Sequence, residues 1–362
     1  MAFGQGTGSE SILAIGEEAA WGTAVTPTEF VAILSETIQH RRNIPSGHSS
    51  LGDPRDVWPL NLGNEVGGDI RWQGWCGGLE LPFKYMLGDH FTTINPTTGV
   101  YQHKFRISNH IPQWKSADDP SFTSLTLHAL RGSQGTGAGY NYQYKGAYLN
   151  GMRAEFAKDG LTVSTSALFY DSSEIATAPT VTYDHAALPY PTTLFVGIGD
   201  PTTGDVTNGY FTDTTCFGAS ITIQPGLAVE FPAGFNGGTT YPLPLAAYRK
   251  EPVIRVDGSM DILAGTSSRL YGSKTLRQWE EQFASCYVRI GMTAGTLLST
   301  WTYAHQVDVP DARITMIDPP VQNPDYIRRN IQFRAYLPSG AYPFLSQLQW
   351  MTTNARSGFG GR

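Results

Sequence analysis

Charge is scarce in this 362-residue chain: only 15% of its residues are Asp, Glu, Lys or Arg, against roughly 25% in ordinary soluble domains. So little charge suits a protein that covers much of its surface with other subunits. The net charge of −6 excludes a protein that grips nucleic acid by neutralising phosphates, which needs concentrated Lys and Arg. It permits a surface that DNA slides past. Cysteine is equally sparse. Cys76, Cys216 and Cys286 are odd in number, widely spaced and without a C-x-x-C pair, which excludes a disulfide framework or a zinc site and fits synthesis in a reducing cytoplasm. The first residues, M-A-F-G-Q-G-T-G-S-E, lack the basic start and apolar core of a secretion signal. No apolar run approaches the roughly 20 residues that span a bilayer, so a soluble chain without membrane insertion is expected.

Catalytic motifs are missing as well. The glycine cluster from Arg131 to Tyr140 contains G-T-G-A-G, but no Walker lysine follows and no helix opens after it, so it reads as a hairpin tip. The eight histidines show no H-x-H or H-E-x-x-H spacing. Ser259, in V-D-G-S-M-D, lies in a strand and has no glycine two residues on, so it is not a nucleophile elbow. The carboxylate pairs Asp118 with Asp119 and Glu280 with Glu281 read as solvated neighbours rather than a glycosidase pair. Gly199 to Gly209 scatters oxygen ligands without the alternation of a calcium loop. No enzyme activity, cofactor or metal is expected. Trp58, Trp72, Trp75 and Trp114, with Tyr140, Tyr142, Tyr144 and Tyr148, leave open a sugar-binding platform. Aromatics alternating along strands are more often core or subunit interface.

What the chain does have is strands and turns. Forty glycines and 23 prolines punctuate short alternating segments, and the length predicts two cores rather than one. Leu161, Val163, Thr165, Ala167 and Phe169 fall on one face, with Thr162, Ser164 and Ser166 opposite, the period of two of a half-buried strand. Met152, Ala154 and Phe156 alternate just before it, and A-K-D-G-L between them predicts a hairpin turn. Ala312, Ile314 and Met316 alternate further on, as do Ile331, Phe333, Ala335 and Leu337. Short helices are predicted at about Gly78 to Leu87 and Ser273 to Ser285. In the second, Leu276, Trp279 and Phe283 share a face while Arg277, Glu280 and Glu281 point outward.

The order of these pieces repeats. V-G-G-D-I-R-W-Q-G-W leads into a helix and alternating strands, and P-V-I-R-V-D-G-S-M-D-I-L does so again. The expected organisation is a flexible arm at 1–11, a first β domain at 12–171, a linker at 172–215 with one strand near Thr192 to Val196, a second β domain at 216–354 and a tail at 355–362. Two copies of one sheet-building unit make assembly the first hypothesis. The connection from His40 to Asn64 exceeds about 15 residues, and such loops are functional or ordered by a partner.

Three stretches carry a family resemblance: I-G-E-E-A-A-W-G-T-A-V-T-P, G-G-D-I-R-W-Q-G running into L-P-F-K-Y-M-L-G-D, and L-T-L-H-A-L-R-G with G-M-R-A-E-F-A-K-D-G-L-T-V-S-T-S-A-L-F-Y-D. A-S-I-T-I-Q-P-G-L, V-D-G-S-M-D-I and I-Q-F-R-A-Y-L continue it. In their order and spacing, over about Ile12 to Asn354, they resemble the tail tube proteins of long-tailed bacteriophages. The resemblance implies a mainly β chain of two tandem β-sandwich or split-barrel domains, each with one short flanking helix. It implies stacked rings in the virion tail that conduct DNA, with terminator, tape measure and distal tail proteins as partners. A duplicated unit would close as a trimer with pseudo-sixfold symmetry. Arg41, Arg42, His48, Asp53, Arg55 and Trp58 are then expected between rings or subunits. Thr162, Ser164, Ser166, Arg313, Thr315, Gln332 and Arg334 are expected to line the lumen, which should be polar or acidic on balance. The other reading is a carbohydrate- or receptor-binding β protein of the virion.

Overall fold

The computed structural model describes residues 12–27, 29–31, 33–42, 46–48, 56–59, 64–95, 98–107, 124–131, 140–175, 191–204, 206, 210–212, 216–224, 227–230, 246–249, 254–263, 276–298, 301–318, 328–338 and 343–355. The first half contains β1 (Ile12–Glu17), β2 (Glu29–Val31), β3 (Ile33–Glu36), β4 (Gln39–Arg42), β5 (Ser46–His48), β6 (Asp56–Pro59), β7 (Asn64–Gln73), helix α1 (Glu80–Leu87), β8 (Gly88–Asn95), β9 (Val100–Ile107), β10 (Leu125–Arg131), β11 (Tyr140–Ala157), β12 (Gly160–Phe169) and β13 (Asp171–Glu174). The second contains β14 (Thr193–Gly199), β15 (Tyr210–Thr212), β16 (Cys216–Gln224), β17 (Leu227–Glu230), β18 (Ala246–Arg249), β19 (Arg255–Leu263), helix α2 (Leu276–Gln282), β20 (Ser285–Leu298), β21 (Trp301–Asp318), β22 (Arg328–Ala335) and β23 (Gln349–Asn354). Nineteen of these strands join one large sheet, and β5–β6 and β17–β18 form two small antiparallel ribbons.

All the pairings are antiparallel, and their order occurs twice. β2–β1–β10–β11–β13 runs through the first half, and β15–β14–β20–β21–β23 through the second. Further along, β11 leaves these neighbours and continues into β12–β7–β3, as β21 continues into β22–β19–β16. Each of the two 18-residue strands therefore changes partners part-way. Gly146 and Gly151 at φ 63° and 83° let β11 do so, a backbone region closed to most side chains. A Cβ at Gly146 would stand 2.5 Å from that of Tyr170. In β21 the register shifts around Pro310, which has no ladder N–H to lose.

The predicted alternation holds where the ladder is regular. Leu161, Val163, Thr165, Ala167 and Phe169 are buried, as are Met152, Ala154, Phe156, Ile331, Phe333 and Ala335. Two expectations fail for stated reasons. Met316 is 40% exposed because the ladder slips between Ile314 and Met316, and Leu337 is 67% exposed because it lies beyond the end of β22. Within 172–215, β14 and β15 give more strand than the single one expected there.

One core cluster runs through both halves, with Trp72, Phe83, Phe105, Phe156, Phe333 and Trp350 fully buried. Each such side chain contributes about 1.5–3 kcal/mol. The halves interlock, since β23 from the end of the chain pairs with β21 on one side and β9 on the other. Helix α1 is buried almost throughout. Pro82 is tolerated in its first turn, where its N–H would have no partner, and Gly88 at φ 101° ends it.

Candidate assembly surfaces

The loop after β1 explains the E-E-A-A-W-G stretch. Glu18 is fully buried, and its carboxylate accepts from the Gly22 N–H (2.8 Å), the Thr126 hydroxyl (2.7 Å), the Gly146 N–H (2.9 Å) and the Ser124 hydroxyl. Four donors compensate a charge that would be costly if buried alone. Trp21 packs against Tyr170 with the rings tilted by 58° and their centroids 4.5 Å apart. The loop after β14 is its counterpart in position: the Gly204 N–H donates to the Asp200 carbonyl at 2.8 Å, and Gly22 and Gly204 share φ 70°. That accounts for the oxygen-rich stretch at 199–204 as a turn.

The halves are fastened at His305, which is completely buried. Its Nδ1 accepts from Trp350 Nε1 (3.2 Å) and the Thr352 hydroxyl (3.1 Å), so its Nε2–H donates to the Trp75 carbonyl (2.7 Å). Burial drives its pKa down, against the opposing pull of that carbonyl and of Glu80. Asn354 Nδ2 donates to the Cys76 carbonyl and to Glu80, whose other oxygen accepts from the Gly78 N–H at 2.6 Å.

One face of the large sheet is polar along a single row. Stepping across eight strands, Ser35, Arg71, Ser164, Arg153, Thr222, Asp257, Arg334 and Arg313 stand opposite one another in turn. Two open depressions lie on this face. The first is lined by Ser35, Asp69, Arg71, Arg153, Ser164 and Ser166, the second by Arg153, Asp257, Ser259, Thr315, Gln332 and Arg334. Here the structure brings together Ser164, Ser166, Thr315, Gln332 and Arg334, with Thr162 beside them opposite Glu155. Arg313 turns aside: its Nη1 donates to the Phe283 carbonyl at 2.7 Å and its Nε pairs with Asp311 at 2.9 Å.

The arginines of the face are paired. Glu155 sits between Arg153 (2.8 Å) and Arg71 (3.6 Å), and Asp257 sits between Arg334 (2.8 Å) and Arg255. The hydrogen bond to Asp257 holds the Arg334 guanidinium above its usual pKa. Asp69 accepts from the Ser166 hydroxyl, and Asp261 from Asn330. Two carboxylates, Glu155 and Asp257, thus each hold two of the four guanidiniums Arg71, Arg153, Arg255 and Arg334, while Asp69 and Asp261 add negative charge to the same face. Sequence reasoning had missed Arg71, Arg153, Glu155, Thr222, Arg255 and Asp257. The signal was present in G-D-I-R-W-Q and R-V-D-G-S-M-D, where every second residue is polar or glycine.

Of the residues expected between rings, Arg41 and Arg42 lie in β4, paired with Glu65 and Asn64 of β7. His48 and Trp58 lie in the β5–β6 ribbon. Asp53 and Arg55 fall outside the described residues. Trp72, Tyr144 and Tyr148 are buried, so they belong to the core and not to a sugar platform.

A family model of phage tail tube proteins matches residues 8–335. The chain belongs to the phage tail tube protein family. No curated protein matches it. A tail tube protein is a structural, non-enzymatic component of the virion tail that polymerises with its own kind. The absence of nucleophile elbow, Walker lysine and metal spacing in the sequence accords with that role.

Proposed function

We propose that this tail tube protein closes rings of three chains, each supplying two positions of a pseudo-sixfold ring, and that the rings stack into a channel for DNA. The observation that carries this reading is the twice-repeated pairing order, β1–β13 against β14–β23. On this division the second unit begins at β14, so 193–212 belong to it rather than to a linker. The polar row would face the channel. Its arginines are matched by carboxylates, so passing phosphates meet no unpaired basic strip to which they would bind with counterion release. The connection from His40 to Asn64, whose sequence carries Arg41, Arg42, His48, Asp53, Arg55 and Trp58, would reach the adjoining ring. Terminator, tape measure and distal tail proteins would meet the tube at its ends and within its bore.

Symmetry analysis of electron micrographs of the assembled tube tests the ring. Three chains per ring are expected, and six would overturn the reading. The channel face has its own test. Glu155→Gln with Asp257→Asn strips four guanidiniums of their partners, and tubes of this variant should retain short duplex DNA at low salt and release it as salt rises. Equal retention by unsubstituted tubes would remove the channel assignment.

A further inference from the structure

The row from Ser35 to Arg313 contains a joint between the two halves and two ends, one at Ser35 with no described strand beyond it and one at Arg313 where β20 stops, and these three places explain one another. Inside the chain the row steps from Arg153 of β11 to Thr222 of β16, where 152–157 pair antiparallel with 218–223. By position in the repeated order, β21 stands where β11 does and β3 where β16 does. β21 borders β22 as β11 borders β12, and β3 borders β7 as β16 borders β19. Yet β20 accompanies β21 only to Arg313. Beyond it, among the described residues, no strand lies on the outer side of 314–318, nor on the outer side of β3. Both places expose apolar side chains, Met316 at 40% and Leu34 at 50%.

The β21 edge is not bare. The Ile317 N–H, which a further strand would take, donates to Glu280 Oε1 of α2 at 3.2 Å. Arg313 holds the end of the same helix through the Phe283 carbonyl, and Phe283 itself is 50% exposed at φ 48°. An exposed strand edge invites pairing with other chains, and covering it with a helix is one way to prevent that. Among the described side chains the cover rests on one carboxylate on one amide and one guanidinium on the carbonyl that follows the helix, and that following residue is exposed and in the left-handed region.

We propose that α2 and Glu280 hold the β21 edge closed in the free subunit, and that β3 of a second copy displaces them, continuing the row from Arg313 to that copy's Ser35 as it runs from Arg153 to Thr222 within the chain. This inference rests on the ring reading and names its contact. Ser285 and Cys286, which now flank Arg313 and Ala312, yield with the helix. The second copy is the fitting occupant because the chain already makes the same strand-to-strand step once, between its own halves.

Two experiments on the full chain decide it. Polymerisation is followed against protein concentration by light scattering, with tubes counted in micrographs. Glu280→Ala removes the acceptor and should lower the concentration at half-polymerisation about fivefold, the ratio that one hydrogen bond of about 1 kcal/mol is worth. Glu280→Gln keeps an acceptor oxygen and should stay within about twofold of the unsubstituted chain. An unchanged Glu280→Ala, or one that assembles less readily, overturns the guard. The register is read by cross-linking: Ser35→Cys with Arg313→Cys should give covalent trimers on a non-reducing gel once assembled, since directly opposed positions meet disulfide geometry. Cys286 lies beside this edge, so the two single variants are the controls, and each should remain monomeric. Tubes that yield only monomers overturn the β3–β21 contact while leaving the ring intact. An unsubstituted chain that forms neither rings nor tubes counts against the ring reading itself.

Discussion

The two helices occupy corresponding places in the repeated order, after β7 and after β19, and they are treated in opposite ways. α1 is buried from Glu80 to Leu87 apart from Lys84. Phe83 lies 4.4 Å from the Trp350 ring and 5.8 Å from Phe105, with His305 edge-on. Beside α2, Glu281, Gln282 and Phe283 are exposed, and Glu280 reaches the open edge of β21. The difference teaches that a helix packed where strands of both halves meet becomes core, while a helix beside a strand edge keeps an exposed flank.

Substitutions can break or sharpen this contrast. The largest effect is expected at Phe83→Ala, which opens a cavity among Phe105, Trp350 and His305 and should cost roughly 3–5 kcal/mol in denaturant unfolding of the unpolymerised subunit. Less is at stake in Glu80→Ala. It leaves the buried Gly78 N–H without its acceptor and the Asn354 amide with the Cys76 carbonyl alone, and about 2 kcal/mol should be lost. Acid should act on the same region. The folded-state pKa of His305 is held below its unfolded value near 6.5, so the unfolded chain takes up the proton first. The stability that neutral His305 contributes is therefore present above about pH 6.5 and lost as pH falls below it. His90 and His128, both pushed down to about 4 by burial, with His103 adding to the shift of His90, act in the same sense down to about pH 4. Urea midpoints at pH 8, 6.5 and 5 should fall by a small step between the first two and a larger one at the third, and a level profile throughout would count against the neutral histidine lock. The smallest effect belongs to α2. Phe283→Ala and Glu280→Ala should each change subunit stability by under about 0.5 kcal/mol. A loss there as large as that of Phe83→Ala would erase the distinction between core helix and cover.

The cysteines follow the same division between covered and open. Burial pushes the Cys216 thiol up to about 11 and that of Cys286 to about 12, so in the folded chain neither is poised as the thiolate that reacts. Sequence spacing had already argued against a metal or disulfide role for them.

How much of this was legible in the sequence depends on the range of the interaction. The face of β12 was read correctly from Leu161 to Phe169 because a strand's period of two is local. Both helices were found within a few residues of their bounds, since Pro82 and Gly88 mark the first and the spacing of Leu276, Trp279 and Phe283 the second. Met316 was misplaced because a ladder slip leaves no mark in the alternation. The pairings of Arg71 with Glu155 and of Asp257 with Arg334 escaped notice because they join strands far apart in the chain. Arg153 with Glu155 and Arg255 with Asp257 stand two apart in one strand, a local spacing that was legible in the sequence.

By itself, then, the sequence determined the strands, their buried faces, the two helices and a structural rather than catalytic role. Those depend on residue type and on spacings of two, three and four. Only the tertiary structure decided which strands lie together and that a buried histidine and a C-terminal strand fasten one half to the other. Pairing partners are chosen by contacts between distant residues that bury apolar area and satisfy backbone groups together, and no local pattern encodes that choice.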